Sequence, residues 1–267
     1  MSKQSKRERQ RQNREARREY EERLTRRRKT WRAVRTFAII AVPILVVGII
    51  LSVASGGSDD STKKSAANDC ANVKTPPAKN VSFPAPPPQT LDPTQVQQAT
   101  IDTTCGTIEM TLLSQAYPVS ANNFVFLAQQ GFYDDLAVVR AAKGFVVQAG
   151  SPTQSNDGGP GYTVQGELPA TQPGQPAYPK GTVAWAKTGS EPAGTIGSQF
   201  FIVTGDASQL PPDYAVLGTV TKGLDVAQRI EKLAPASGDG PLTRPVVMKK
   251  VTITPQEIVT TTAPPST

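Results

Sequence analysis

The sequence predicts a mainly β domain, built as a closed antiparallel barrel with two helices and preceded by a single transmembrane helix. Three observations lead there. From about residue 95 to 255, short runs of alternating or β-branched apolar residues follow one another, with only two stretches of helical periodicity. Ahead of them lies one uncharged apolar run long enough to cross a bilayer. The charge is split between the two regions. Of the 29 basic and 22 acidic residues, fifteen and five precede Thr36, so the first 35 residues carry +10 and the remainder −3. The net charge of +7 therefore belongs to a tail and says nothing about the domain.

Residues 1–35 form a basic cytoplasmic tail of good helix formers without an apolar face. Such a flank serves a membrane anchor and attracts anionic head groups, so no nucleic-acid partner is expected. Residues 36–58 carry the transmembrane helix. Phe37–Ala54 reads FAIIAVPILVVGIILSVA, just enough to cross a hydrocarbon core of roughly 30 Å. Pro43 and Gly48 are tolerated there. The rival reading is a secretory signal peptide, whose apolar region is normally shorter and whose basic region does not extend over 35 residues. The positive-inside rule makes this a single-pass protein of the cytoplasmic membrane, its N-terminus cytoplasmic and its domain extracytoplasmic. Residues 59–94 form a Pro/Ser-rich linker, read as an extended spacer. The only cysteines, Cys70 and Cys105, fall on the outer side. An oxidising compartment permits a disulfide between them, tying the linker to the start of the domain, with two free thiols as the alternative.

Within the domain, 95–255, Ala99–Thr103 and Thr107–Leu112 alternate around Cys105-Gly106, a hairpin signal. A helix follows, with Ser120 as its cap, an apolar stripe of Ala121, Phe124, Leu127 and Ala128, and Gly131 as its stop. Residues 136–140 and 144–149 read as strands, with Phe145 and Val147 on one face and Val146 and Gln148 on the other. Residues 151–179 read as loop. Strands return at 182–186, 199–203 and 215–220, then a helix at 224–233 and a last strand at 246–253. In the stretch Gly197–Val203, Gln199 and Phe201 share a face opposite Phe200 and Ile202, setting an amide beside an aromatic ring. Residues 256–267 are a disordered Thr/Pro tail.

The chain has no histidine, no GxSxG and no P-loop, so hydrolase, kinase and metalloenzyme readings are weak. What remains is Arg140, placed after an apolar run, with Phe145, Gln148, Gln199 and Phe201. VVRAAKGFVVQAG carries Arg, then Phe five residues on, then Gln three further. That stretch and GTVAWAKTGSEPAGTIGSQFFIVTG resemble the two signatures of the cyclophilins, a family of peptidyl-prolyl cis–trans isomerases (rotamases). ANNFVFLAQQGFYDD and YAVLGTVTKGLDV are similar to other parts of the same family, and the resemblance covers about 97–254.

The resemblance implies an eight-stranded antiparallel barrel with two capping helices, no cofactor and no metal. Its expected partners are proline-containing polypeptide segments. By position it implies that Arg140 and Gln148 are catalytic. Substrate-binding roles fall to Phe145, Val146, Phe201 and Leu210 in the proline pocket, Gln199 beside the substrate backbone, and Ala186 and Lys187 at the residue preceding proline. Tyr214 stands where many members have His. The chain departs from the family pattern at Val139, Ala149, Trp185, Lys187 and Gln209, the last of these where many members carry Trp, which weakens the expected binding of cyclosporin. The expected function is isomerisation that assists folding of extracytoplasmic proteins, with Arg140 stabilising the twisted prolyl amide. The departures motivate an alternative, a non-catalytic Pro-peptide-binding or scaffolding module of the cell envelope.

Overall fold

Within residues 70–92 and 94–256, the part of the chain described by the computed structural model, eleven strands and two helices form. The basic tail, the span at 36–58, the first part of the linker and the C-terminal tail lie outside the described residues. Among the described residues no helix is long and apolar enough to cross a membrane. In chain order the elements are β1 (Val96–Thr103), β2 (Gly106–Leu112), α1 (Pro118–Gln129), β3 (Leu136–Ala142), β4 (Val146–Ala149), β5 (Val164–Gln165), β6 (Thr182–Trp185) and β7 (Thr195–Ile196). They continue with β8 (Phe200–Val203), β9 (Val216–Lys222), α2 (Leu224–Glu231), β10 (Asp239–Gly240) and β11 (Val247–Gln256).

The β1–β2 hairpin forms around Cys105 as its alternation requires: Ala99, Ile101, Ile108, Met110 and Leu112 are buried, and their neighbours are not. Pairing then runs β3–β11–β1–β2–β9–β6–β8–β4, and β4 pairs back onto β3. Eight antiparallel strands thus close a barrel, which removes the sheet edges. The two-residue β10 hangs on the end of β3, and the loop taken as irregular at 151–179 contributes β5, which pairs with β7. Away from the bulges, period 2 divides the strands between two faces. Val147, Val183, Phe200, Ile202 and Leu217 join the main core with Phe124 and Leu127 of α1 and Ala227 and Ile230 of α2. Val146, Ala184, Phe201, Val203 and Val216 form a second apolar cluster on the other face.

Two expectations change. Helix α1 begins at Pro118, whose fixed φ suits the first turn, and Tyr117 makes no side-chain cap. Ser120 lies inside the first turn. The free N–H groups of Val119 and Ser120 donate instead to the carboxylate of Glu167, at 2.7 and 3.2 Å, where a negative charge also suits the helix dipole. Gly131, at φ 64°, does end the helix.

The second change concerns the linker. Read from composition as a spacer, it lies against the domain over 70–92. Phe83 packs edge-on against Phe126 at 5.1 Å, and its N–H donates to Pro160 O. Lys79 N–H donates to Pro152 O, and Asn122 of α1 accepts from the N–H groups of Thr90 and Leu91 while donating to Pro88 O. Composition marks extended, proline-rich chain correctly but is blind to a few apolar residues that find a surface. The strap is stapled at its start by the Cys70–Cys105 disulfide, 35 residues apart in sequence, with both cysteines buried.

Closing a loop of that length corresponds to about 4 kcal/mol in the chain-entropy description. The Cys70→Ser/Cys105→Ser double variant should therefore melt about 5–15 °C below the oxidised protein. Equal melting of oxidised and reduced chains, followed by calorimetry, would show that the staple adds nothing.

Candidate active site

A single row of facing residues runs across five strands of the barrel wall. Arg140 on β3 stands opposite Gln148 on β4, and Gln148 stands opposite Phe201 on β8. Phe201 faces Ala184 on β6, and Ala184 faces Val216 on β9. All five strands contribute outer positions to the second cluster, β3 through Ala142 beside Arg140. Arg140 reaches this face through a break in register. Val138 pairs with Ala149 and Arg140 with Gln148, so β3 spends two residues where β4 spends one. Such a bulge re-aims the side chain that follows it.

The row is polar at one end. Arg140 Nη1 donates to Gln148 Oε1 at 3.3 Å, and Gln148 Nε2 donates to Gln199 Oε1 at 2.9 Å. Gln199 Nε2 in turn donates to the carbonyls of Asn156 and Gly158. Gln148 and Gln199 also line a polar cleft of about 610 Å³, together with Asp157, Lys187 and Glu191. At its other edge Arg140 makes a bidentate ion pair with Asp239 on β10.

Beside the polar residues the row turns apolar. Val146 and Phe201 are buried, with Phe145, Ala186, Leu210 and Tyr214 partly buried against them. The rings of Phe201 and Tyr214 meet edge to face at 5.5 Å, and Tyr178 packs edge-on against both. Tyr178 is the support beneath this wall. Its hydroxyl donates to Tyr214 O and accepts from Tyr214 N–H, both at 2.8 Å. Lys187 lies at the lip, its ammonium 5.3 Å from the centre of the Tyr214 ring, and donates to Glu191 O.

The structure thus brings Arg140, Gln148 and Gln199 into one hydrogen-bonded series, and gathers Phe145, Val146, Ala186, Phe201, Leu210 and Tyr214 into one apolar cluster. The Cys70–Cys105 pair belongs to neither. Phe145 departs from the alternation expected for it. It precedes β4 and packs with Val146 instead of Val147, because Gly144 at φ 67° turns the chain just before it. Two residues had no place in the sequence reading. Asp239 sat in a Gly-flanked turn almost a hundred residues from Arg140, and Tyr178 was one aromatic in a proline-rich loop. A buried tyrosine amid small and kinked residues is a usable signal, whereas the Asp239 contact has none in one sequence. No group of three or more metal-ligating side chains converges among the described residues.

This barrel and site define a cyclophilin-type domain. The family model for cyclophilin type peptidyl-prolyl cis-trans isomerase/CLD matches residues 98–253, and the chain belongs to that family. The chain is 38% identical over 189 residues to "Probable peptidyl-prolyl cis-trans isomerase B" of Mycobacterium leprae, covering 64% of this chain and 62% of that protein. It is 39% identical over 123 residues to peptidyl-prolyl cis-trans isomerase B of Bacillus subtilis, covering 46% of this chain and 82% of the relative. The chain thus spans about three fifths of the length of its mycobacterial relatives. The crystal structure of a Cryptosporidium parvum cyclophilin type peptidyl-prolyl cis-trans isomerase shares the fold, with a TM-score of 0.50 at 24% identity, over 60% of this chain and 98% of that one.

Burial sets the alkaline limit of the domain. It pushes the Tyr162 hydroxyl up to about 12 and raises those of Tyr133 and Tyr178 as well. A tyrosine raised in this way stays protonated in the folded chain where the unfolded chain has lost its proton, so its contribution is whole below about pH 10 and is lost above it. Denaturant midpoints should stay level from about pH 8 to 10 and fall between 10 and 12, less steeply in Tyr162→Phe. A Tyr162→Phe profile parallel to wild type would refute this origin.

Proposed function

We propose that the chain is a peptidyl-prolyl cis–trans isomerase that assists folding of extracytoplasmic proteins. The observation that carries the reading is the register pairing of Arg140 with Gln148, next to an apolar cluster that includes Phe201 and Val146. Rotation about a prolyl amide has a barrier of about 18–20 kcal/mol and needs no nucleophile, base or metal. At the twisted geometry the prolyl nitrogen loses conjugation and gains a lone pair. A guanidinium N–H directed at that nitrogen stabilises the twisted state and not the planar one, which is the condition for acceleration. Arg suits the role because it stays charged and donates from a rigid fork.

The apolar cluster supplies the surface for the pyrrolidine ring. Burying three methylenes contributes about 2 kcal/mol, enough to hold many proline segments weakly and none tightly. Gln148 has one amide hydrogen beyond the one given to Gln199, available to the substrate backbone. A pure binding module requires the apolar cluster but gives no reason for a guanidinium fixed beside it, so the isomerase reading takes precedence over the scaffolding one.

For Arg140→Ala, kcat/KM on an Ala-Pro peptide should fall by about 10²–10³ with little change in KM. Catalysis equal to wild type in a protease-coupled assay would sink the catalytic role of Arg140, and an inactive wild type would sink the isomerase reading.

The location proposed is the outer side of the cytoplasmic membrane, with 36–58 as a single span and the basic flank inside. The sequence pattern supports this, and the disulfide adds to it, because such bonds persist in oxidising compartments. The substrates are then proline-containing segments of secreted or envelope proteins. The full chain should sediment with membranes and resist carbonate extraction, and a chain lacking 36–58 should not. Recovery of the full chain in the soluble fraction would overturn the anchor.

A further inference from the structure

Arg140 is gripped at the edge away from Gln148. Its Nε and Nη2 donate to the two carboxylate oxygens of Asp239, both at 2.7 Å. One Nη1 hydrogen goes to Gln148 at 3.3 Å. A guanidinium carries five N–H groups on one plane, so two remain, one on each terminal nitrogen. The bidentate contact fixes the plane, and the plane fixes where those two point.

Asp239 is itself built into the strand it serves. Asp239 and Gly240 pair with Ala142 and Ala141 of β3. Just beyond, Lys143 N–H donates to Gly238 O at 2.8 Å and Gly144 N–H donates to the Glu231 carboxylate at 2.6 Å. The carboxylate therefore moves with the hairpin that carries Arg140. Its side chain is 53% exposed, and that of Arg140 25%, so the pair adds little to folding stability. Water also screens much of the carboxylate charge, which leaves direction as its main effect on the guanidinium.

We propose that Asp239 is a positioning residue for the isomerase reaction, holding the Arg140 guanidinium with its two remaining N–H groups toward the prolyl nitrogen. The inference rests on the isomerase reading above. Without the grip, the long arginine side chain samples other rotamers and must be ordered in each turnover, a cost that falls on the transition state.

The test uses the full chain in detergent, as wild type, Asp239→Ala, Asp239→Glu and Arg140→Ala. One readout is kcat and KM on an Ala-Pro peptide, and the other is the ¹⁵N-detected Arg140 Nε–Hε signal. Asp239→Ala should lower kcat about tenfold with KM within about twofold of wild type. Its Nε–Hε proton should exchange faster, and its melting temperature should stay within about 2 °C of wild type. Asp239→Glu, which keeps the carboxylate, should restore part of kcat and of the protection. Wild-type kcat in Asp239→Ala, or a drop carried by KM alone, would overturn the proposal, as would an unchanged Nε–Hε signal. If wild type and Arg140→Ala turn over equally, the role assigned to Arg140 fails first, and the Nε–Hε signal still decides whether Asp239 holds Arg140.

Discussion

The pairing of β3 with β4 is the contact on which both the fold and the site depend. It turns an open sheet of eight strands into a barrel, so that no strand in the circuit is left with a free edge. The same ladder sets Arg140 opposite Gln148. A slip of one residue in either strand would send one of these side chains into the core and bring out a valine or alanine. The bulge after Val138 makes the two demands compatible. Val138 and Ala141 both join the main core, an odd spacing that strict alternation forbids, and the extra residue between them lets Arg140 stay on the outer face. Closure of the barrel and aim of the arginine are therefore one geometric fact.

From that pairing the site is held outward in both directions. On one side Gln199 ties Gln148 to the loop carbonyls at 156 and 158. The base of that loop is backed by the strap, through Lys79 N–H on Pro152 O and Phe83 N–H on Pro160 O. The strap in turn is fixed by the disulfide and by Asn122 of α1. On the other side, β10 and the end of α2 hold the β3–β4 turn. Backbone packs tightly there. Thr204 and Gly205 N–H both donate to Phe145 O, and a Cβ at Gly205 would lie 2.1 Å from Gly144 O, so only glycine fits. Stability and site geometry share these contacts, which is why a linker far from Arg140 in sequence belongs to the same structural argument.

Much of this was legible in the sequence, and the reasons differ by element. β1 and β2 were readable because each buries one face, so their alternation is strict, and β8 because its aromatic and β-branched run is buried on both faces. The main site residues were readable because Arg140, Phe145 and Gln148 stand close together across one hairpin, and Gln199 and Phe201 in one short stretch, in the spacing of the family's signatures. The boundaries were less so. β5 is two residues long and has no period, and α1 takes its terminal partner from Glu167, 47 residues from Ser120, which no local cap rule anticipates. The docking of the strap was not legible because composition averages over residues, whereas single residues, Phe83 and Leu91 on the core and Cys70 in the disulfide, decide where it lies. Asp239 and Tyr178 act through contacts made only once the barrel has closed. Asp239 meets Arg140 across 99 residues of chain, and Tyr178 meets Tyr214 across 36. Period and motif report what a strand does to its own side chains. They do not report what a distant turn does to them.

That a carboxylate should sit on the arginine proposed to drive the reaction looks self-defeating if charge is what the reaction needs. For amide rotation it is not. No net charge develops between the planar and the twisted state. What develops is a lone pair on one nitrogen, with a direction. A donor that points along it gains from the hydrogen bond itself, and such bonds weaken steeply once the angle falls toward about 120°. Two exposed unit charges about 4 Å apart in water interact by only about 1 kcal/mol, so partial neutralisation at this half-exposed edge forfeits little. A wandering guanidinium would forfeit more, because its orientation would have to be purchased again at each crossing of the barrier. The Asp239–Arg140–Gln148–Gln199 series is therefore better understood as a rail for one donor than as a reservoir of charge, and the closed barrel is what keeps the rail straight.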